Sequence, residues 1–309
     1  MHTLPQQLVN GLLLGSMYGL IAIGYTMVYG IVQLINFAHG EIFMTGAFGA
    51  LTVWINLPDG LSIWAALPLM LIGGAITAVL IAVAAERFAY RPLRGAPRLA
   101  PLITAIGLSL ALQQAVFNWY PDAKTARTFP QLPGDPLHIG SVAVQRGDLF
   151  LIAAAPLCMI VLGLFVSRTR TGRGMQATAQ DPDTAQLMGI DTNRIIVVAF
   201  AIGGLFAAVA GVASGLKYGS VSYDMGFQAG LKAFTAAVLG GIGNIYGAML
   251  GGLVLGVAES LASAYIDGIP GMEQLGGGSW ANVWAFVLLI VVLLVRPQGL
   301  LGERVAERA

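Results

Sequence analysis

The sequence predicts an all-α polytopic membrane protein, a bundle of about 8–9 transmembrane helices packed tightly through glycine. Three observations predict it. Of 309 residues, 57% are hydrophobic and 10% charged, with a mean hydropathy of +0.78, whereas an ordinary soluble domain carries roughly 25% charged residues. Stretches free of Asp, Glu, Lys and Arg run over 1–40, 42–58, 60–85, 99–121, 149–167, 195–216, 233–258 and 274–295, and a crossing helix needs about 20 apolar residues. Of the 41 glycines, sets such as Gly11, Gly15 and Gly19 recur at helical spacing inside these stretches.

Several classes are excluded at once. The polar residues are too few to cover a water-exposed surface, which rules out a soluble enzyme, a nucleic-acid binder and a disordered chain. Net charge is +1, and the 16 Lys and Arg form no block suited to phosphate. The one cysteine, Cys158, permits no intrachain disulfide and no thiolate metal site. Met1–Asn10 lacks a basic residue and runs into a long apolar stretch, so no cleavable signal peptide is expected. The apolar segments are continuous rather than short and alternating, which excludes a β-barrel.

Basic residues set the orientation. Arg87, Arg91, Arg94 and Arg98 fall in one loop, Arg168, Arg170, Arg173 and Arg194 in a second, and Arg296, Arg304 and Arg308 in the tail. These three regions hold most of the positive charge and are placed in the cytoplasm. Threading the apolar runs through them gives helices near 8–31, 34–57, 62–86, 99–119, 149–167, 194–216, 228–243, 245–265 and 280–296. The N-terminus then lies outside and the tail, 297–309, inside. The 228–243 segment is short, Gly-rich and carries Lys232; read as re-entrant, it leaves eight crossings. Residues 120–148, with Pro121, Pro130, Pro133 and Pro136, form the one long external loop. No separate soluble domain fits, so 1–309 is a single transmembrane domain.

Gly11, Gly15 and Gly19 recur every four residues, as do Gly243, Gly247 and Gly251. Small residues so spaced line one helix face and let backbones approach in lipid, where packing rather than hydrophobicity drives association.

No catalytic group, cofactor site or metal site is expected. His2, His39 and His138 lie far apart, no His/Cys/Asp/Glu set has ligand spacing, and the Walker pattern is absent. Ionisable residues in or beside a span are functional candidates, which singles out Asn36, His39, Glu41 and Glu259 as pathway or gate residues. Asn36 and His39 share a helix face, while His39 and Glu41 point to nearly opposite ones. Asn36 also suits a helix N-cap, and Glu41 the positive end of a helix dipole. Glu259 either pairs with Lys217 or Lys232 or snorkels outward, and Lys232 is itself placed to snorkel.

The cytoplasmic stretch of about 168–194 is longer than the usual helix–helix connection. Asp181-Pro182 reads as an N-cap followed by proline at the first helical position, Asp183 fits the first turn, and Gly189 reads as a helix stop. The expectation is two short helices broken at Asp181, presenting Leu187, Met188 and Ile190. Such an element must bury against this chain's own helix ends or a separate soluble subunit.

With these segments in view, the chain resembles the permeases of the branched-chain amino-acid ABC transporter family, and within it the H-type subunits. The resemblance covers nearly the whole length. It is carried by Gly19-Leu-Ile-Ala-Ile-Gly-Tyr-Thr-Met-Val-Tyr-Gly30, Ile35-Asn-Phe-Ala-His-Gly-Glu41 and Glu86-Arg-Phe-Ala-Tyr-Arg-Pro-Leu-Arg94. Further carriers are Leu187-Met-Gly-Ile190, Leu231-Lys-Ala-Phe-Thr-Ala-Ala-Val-Leu-Gly-Gly-Ile-Gly243 and Arg296-Pro-Gln-Gly-Leu-Leu-Gly302. Gly174, Gln176, Asn244 and Tyr246 depart from the family's usual residues. The resemblance implies a second related permease subunit, two cytoplasmic ATPase subunits and a periplasmic substrate-binding protein as partners, in the bacterial inner membrane. It implies ATP-driven import of branched-chain, hydrophobic amino acids, with related permeases carrying urea, amides or other amino acids. It also makes the 172–190 loop the ATPase-coupling element, with Gly172, Arg173, Ala177, Asp181, Pro182, Leu187, Met188 and Gly189. The rival expectation is a self-powered carrier using Glu41, His39 and Glu259 as a proton relay.

Overall fold

The computed structural model describes residues 4–34, 36–58, 60–97, 99–140, 142–266 and 277–302. His2, Ile35, Arg98, Arg304 and Arg308, and the tail after residue 302, lie outside the described residues.

The chain is helical almost throughout. Helices α1 (Leu4–Val32) and α2 (His39–Asn56) form the interior, and α3 (Ile63–Ala84) continues through a π-helical turn, Ala85–Tyr90, into a short 3-10 turn, Arg91–Leu93. Helices α4 (Leu99–Trp119) and α5 (Arg146–Arg168) precede two short helices, α6 (Arg170–Gln180) and α7 (Pro182–Leu187). Then come α8 (Thr192–Tyr218), α9 (Met225–Gly240), α10 (Ile245–Tyr265) and α11 (Gly277–Val295). Six of these helices, some with their continuation, are long and apolar enough to cross a membrane: α1, α3, α4, α5, α8 and α10. The protein is a multi-pass membrane protein.

Burial separates core from periphery. Helix α1 is buried along almost its whole apolar stretch, whereas α3, α4 and α5 turn most of theirs outward. Leu80, Ile103, Leu157 and Ile160 on that outer ring are each more than half exposed. In water such a surface would be an aggregation liability; against hydrocarbon it is the expected face.

Close approach decides how α1 meets α10. A Cβ on Gly15 would stand 2.6 Å from the Leu253 Cα and 2.7 Å from the Gly252 carbonyl oxygen. Gly11 faces Val257 in the same way, and Gly19 faces Met249. Gly247 and Gly251 instead face α9 at Gly240 and Ala236. Gly243 does not share that helix face, contrary to expectation. It precedes α10 with φ +98° and nothing near a would-be Cβ, because Asn244 is the N-cap and its side chain accepts from the Gly247 N–H at 3.0 Å.

Polar contacts sort the helix ends. Gln6 near the start of α1 exchanges two hydrogen bonds with the Ala143 backbone, at 2.8 and 3.1 Å, and Thr52 near the end of α2 donates to the Tyr120 hydroxyl at 3.2 Å. At the opposite end, the Leu300 N–H donates to the Leu239 carbonyl at 2.8 Å and Asn244 donates to that of Leu301 at 3.0 Å.

Three details correct the sequence reading. The 120–148 loop contains strands: β1 (Arg127–Thr128) pairs antiparallel with β4 (Ser220–Val221), and β2 (Leu137–Ile139) with β3 (Val142–Val144). Pairings of two or three residues leave no readable period. The helix expected over 34–57 begins at His39, because Asn36 is drawn into a tertiary hydrogen bond; its cap position is Ala38, with no side-chain cap. Likewise the segment expected over 228–243 is α9, 225–240, ending where Gly241 takes φ +104°.

Candidate functional site

The four pathway candidates, Asn36, His39, Glu41 and Glu259, are all buried. Asn36 is buried, and its Oδ1 accepts from the Tyr90 hydroxyl at 2.5 Å, tying the start of α2 to the π-helical turn. His39 is buried against Gly24 and Gly203, edge-on to Tyr25 with ring centroids 4.9 Å apart. Only glycine leaves room for the imidazole there: a Cβ on Gly24 would overlap it. Glu41 points elsewhere, as its spacing predicts, with Oε1 accepting from Ser109 of α4 at 3.2 Å and Oε2 beside Gly226. His39 Nε2 and Glu41 Oε2 have no hydrogen-bond partner among the described residues. Asn36, His39 and Glu41 therefore address different neighbours.

Glu259 forms the fourth element. Its Oε1 accepts from Lys232 at 2.6 Å, and the same ammonium donates to the Tyr18 hydroxyl at 3.2 Å. The pair is buried, with side chains 12% and 6% exposed. Lys232 thus binds inside the bundle instead of snorkelling. Lys217 is taken by Asp148 at 2.8 Å, and Glu259 pairs with Lys232 instead. A charge in hydrocarbon needs such a partner, but residues 27 and 69 positions apart give no local signal of pairing.

Beside this pair lies a cavity of about 320 Å³. Helices α1, α2, α8 and α9 wall it, and Ala126 and Ser220 at the β1–β4 pair border it. Lys232, Asp224 and Gln228 give it polar groups; Met17, Phe43 and Met225 give it apolar ones. Among the described residues, no three His, Cys, Asp or Glu side chains gather as metal ligands.

At the other end, the 168–194 stretch is a folded helix pair. Thr169 caps α6, its hydroxyl accepting from the Gly172 N–H at 2.9 Å. Gly172, Gly174, Met175 and Thr178 turn inward and Arg173 outward, with Ala177 between. A side chain on Gly172 would strike the Phe165 and Val166 backbone. Asp181 then caps α7, accepting from the N–H groups of Asp183 and Thr184 at 3.0 and 3.1 Å, with Pro182 at the first helical position. The Ile190 N–H reaches back to the Ala185 carbonyl at 3.0 Å while Gly189 takes φ +84°, the left-handed stop that favours glycine. Ala185 is buried, but Leu187 is 87% and Met188 79% exposed. Ile190, expected beside them, instead turns partly into the core.

Sequence reasoning missed the anchor of this end. Glu86 in the π-helical turn is fully buried and paired with Arg91 at 3.2 Å and with Arg94. Arg94 also donates to the Asn193 side chain at 2.5 Å, fixing the 85–97 segment to the start of α8.

An apolar helical bundle with buried ion pairs inside it and a capped helix pair at one end defines a polytopic helical membrane protein. A family model described as "Branched-chain amino acid transport system / permease component" matches residues 7–295, and the chain belongs to that family. It is 46% identical over 98% of its length, and 97% of the relative's, to the high-affinity branched-chain amino acid transport system permease protein BraD of Pseudomonas aeruginosa. It is 42% identical, with the same coverage, to the corresponding permease protein LivH of Escherichia coli K12. Its fold is like that of a solved chain of PsaBC from Streptococcus pneumoniae in complex with Fab, at TM-score 0.50 and 14% identity, covering 96% and 93% of the two chains.

Proposed function

We propose that this chain is the membrane-spanning permease subunit of an ATP-binding-cassette importer for branched-chain amino acids in a bacterial inner membrane. ATP hydrolysis belongs to partner chains, and this subunit carries no catalytic residue. Its full partner set is a second related permease, two cytoplasmic ATPase subunits and a periplasmic binding protein. The near full-length likeness to two high-affinity branched-chain amino acid permeases supports the substrate class.

The observation that carries the reading is the tip of α7. Leu187 and Met188 are almost fully exposed on a short helix capped at both ends, in a segment outside the candidate spans. Large apolar side chains held rigidly in water favour a protein partner. Coupling then runs through α6 and α7: Gly172 and Gly189 shape the backbone, Asp181 and Pro182 start α7, and Arg173 and Ala177 flank the contact.

The chain is a single transmembrane domain, 1–309, crossing nine times with the N-terminus outside and the tail inside; a re-entrant α9 would leave eight crossings. The two sets of polar contacts at opposite ends of the bundle support this path. Glycine-mediated packing of α1 on α10 holds its centre.

Gentle solubilisation from the native membrane, affinity purification and mass spectrometry of co-purifying chains test the proposal. A Walker-motif ATPase and a second polytopic permease are expected. A folded, monodisperse preparation of this chain alone, transporting on a proton gradient, would overturn it in favour of a self-powered carrier.

A further inference from the structure

We propose that the cavity between α1, α2, α8 and α9 is a transient binding site for a zwitterionic α-amino acid with an apolar side chain. Lys232 meets its carboxylate and Asp224 its ammonium. The proposal rests on the importer reading above and adds to it a place and a chemistry for the substrate.

The cavity has the size and composition of a small-ligand site. Its volume, about 320 Å³, falls at the low end of the ~300–1,000 Å³ of small-molecule pockets. Opposite charges line it on one helix, Asp224 at the start of α9 and Lys232 further along. Eight residues place their Cα atoms roughly 12 Å apart at 1.5 Å per residue. The lysine stem leans back toward the helix N-terminus and narrows that gap. The two charges therefore bracket a group whose own charges have the opposite order.

Both residues retain hydrogen-bonding capacity. An ammonium has three donors; Lys232 directs two at Glu259 and Tyr18, which leaves one. Asp224 accepts from the Ser222 hydroxyl at 2.6 Å through Oδ1 and keeps further lone pairs. The apolar part of a leucine-like ligand has Met17, Phe43 and Met225 for contact. Glu259 holds the ammonium in place without neutralising every donor, so binding is weak enough to release, as transport requires.

The test uses the complete complex, with its ATPases, partner permease and binding protein, in proteoliposomes. Asp224→Asn is expected to lower leucine uptake about tenfold, the loss of one charge-assisted hydrogen bond, and Ala229→Trp, which fills the cavity, at least as much. ATP hydrolysis stimulated by the binding protein is expected to persist. A second measurement does not depend on transport. In a Cys158→Ser background, a Gln228→Cys variant is labelled with a maleimide while leucine, isocaproate (no amine) or isoamylamine (no carboxylate) is present. Leucine is expected to slow labelling several-fold and the two analogues to leave it unchanged. Wild-type leucine import combined with labelling indifferent to leucine overturns the cavity alone. A wild-type complex that imports no α-amino acid overturns the importer reading beneath it.

Discussion

The ammonium of Lys232 stands 2.6 Å from Glu259 Oε1, joining α9 to α10 inside the bundle. Removing one member leaves the other charge buried and uncompensated, a cost of about 3–5 kcal/mol. Glu259→Gln is expected to lower the melting temperature of the purified complex markedly. Lys232→Met/Glu259→Gln should recover much of the loss, because it removes both charges together. A double variant that melts no higher than Glu259→Gln would deny the pair this role.

The contact between Gly15 and Leu253 makes a second prediction. A Cβ at Gly15 would lie 2.6 Å from the Leu253 Cα, a backbone atom that cannot rotate away. Gly15→Val is expected to abolish the folded species on size-exclusion chromatography. Gly107→Ala is the control: it is also helical, but nothing lies within 4 Å of its would-be Cβ, and normal recovery is expected.

The caps of α7 can be weakened separately. Asp181→Ala removes the acceptor of two backbone N–H groups, and Gly189→Val places a branched side chain at φ +84°, costing roughly 1–2 kcal/mol. Each is expected to speed hydrogen exchange over 182–187 while leaving the bundle protected. The hydrogen bonds of Thr184 hold the Asp181 carboxyl below the usual carboxylate range. Its contribution is therefore fully present above the ordinary aspartate value and is lost only as pH falls through the depressed one. The protection of 182–187, exchange taken relative to its intrinsic rate at each pH, should stay flat across neutral pH and fall in acid.

Leu187→Glu and Met188→Glu change side chains that touch little of this chain. Both variants should fold and insert normally, yet co-purify with much less ATPase and import poorly. Undiminished ATPase recovery with both would place the coupling contact elsewhere.

The sequence alone determined which segments are apolar enough to cross lipid. Threading the apolar segments between the basic loops placed helices at 99–119 and 245–265, the limits that α4 and α10 have. A span must be apolar along its own length, so that requirement is written locally. The same holds for α7, whose cap, proline and terminal glycine act on backbone groups within a few residues. Side-chain partners are another matter. Asn36 looked like a helix cap until Tyr90, 54 residues away, took its oxygen. Asp148 captured Lys217, and Glu259 paired with Lys232 instead. The cavity needs α1, α2, α8 and α9 side by side before it exists at all. Hydropathy is a property of each segment, whereas a buried charge is satisfied by whichever group the packed helices bring to it, and only the tertiary structure decides which that is.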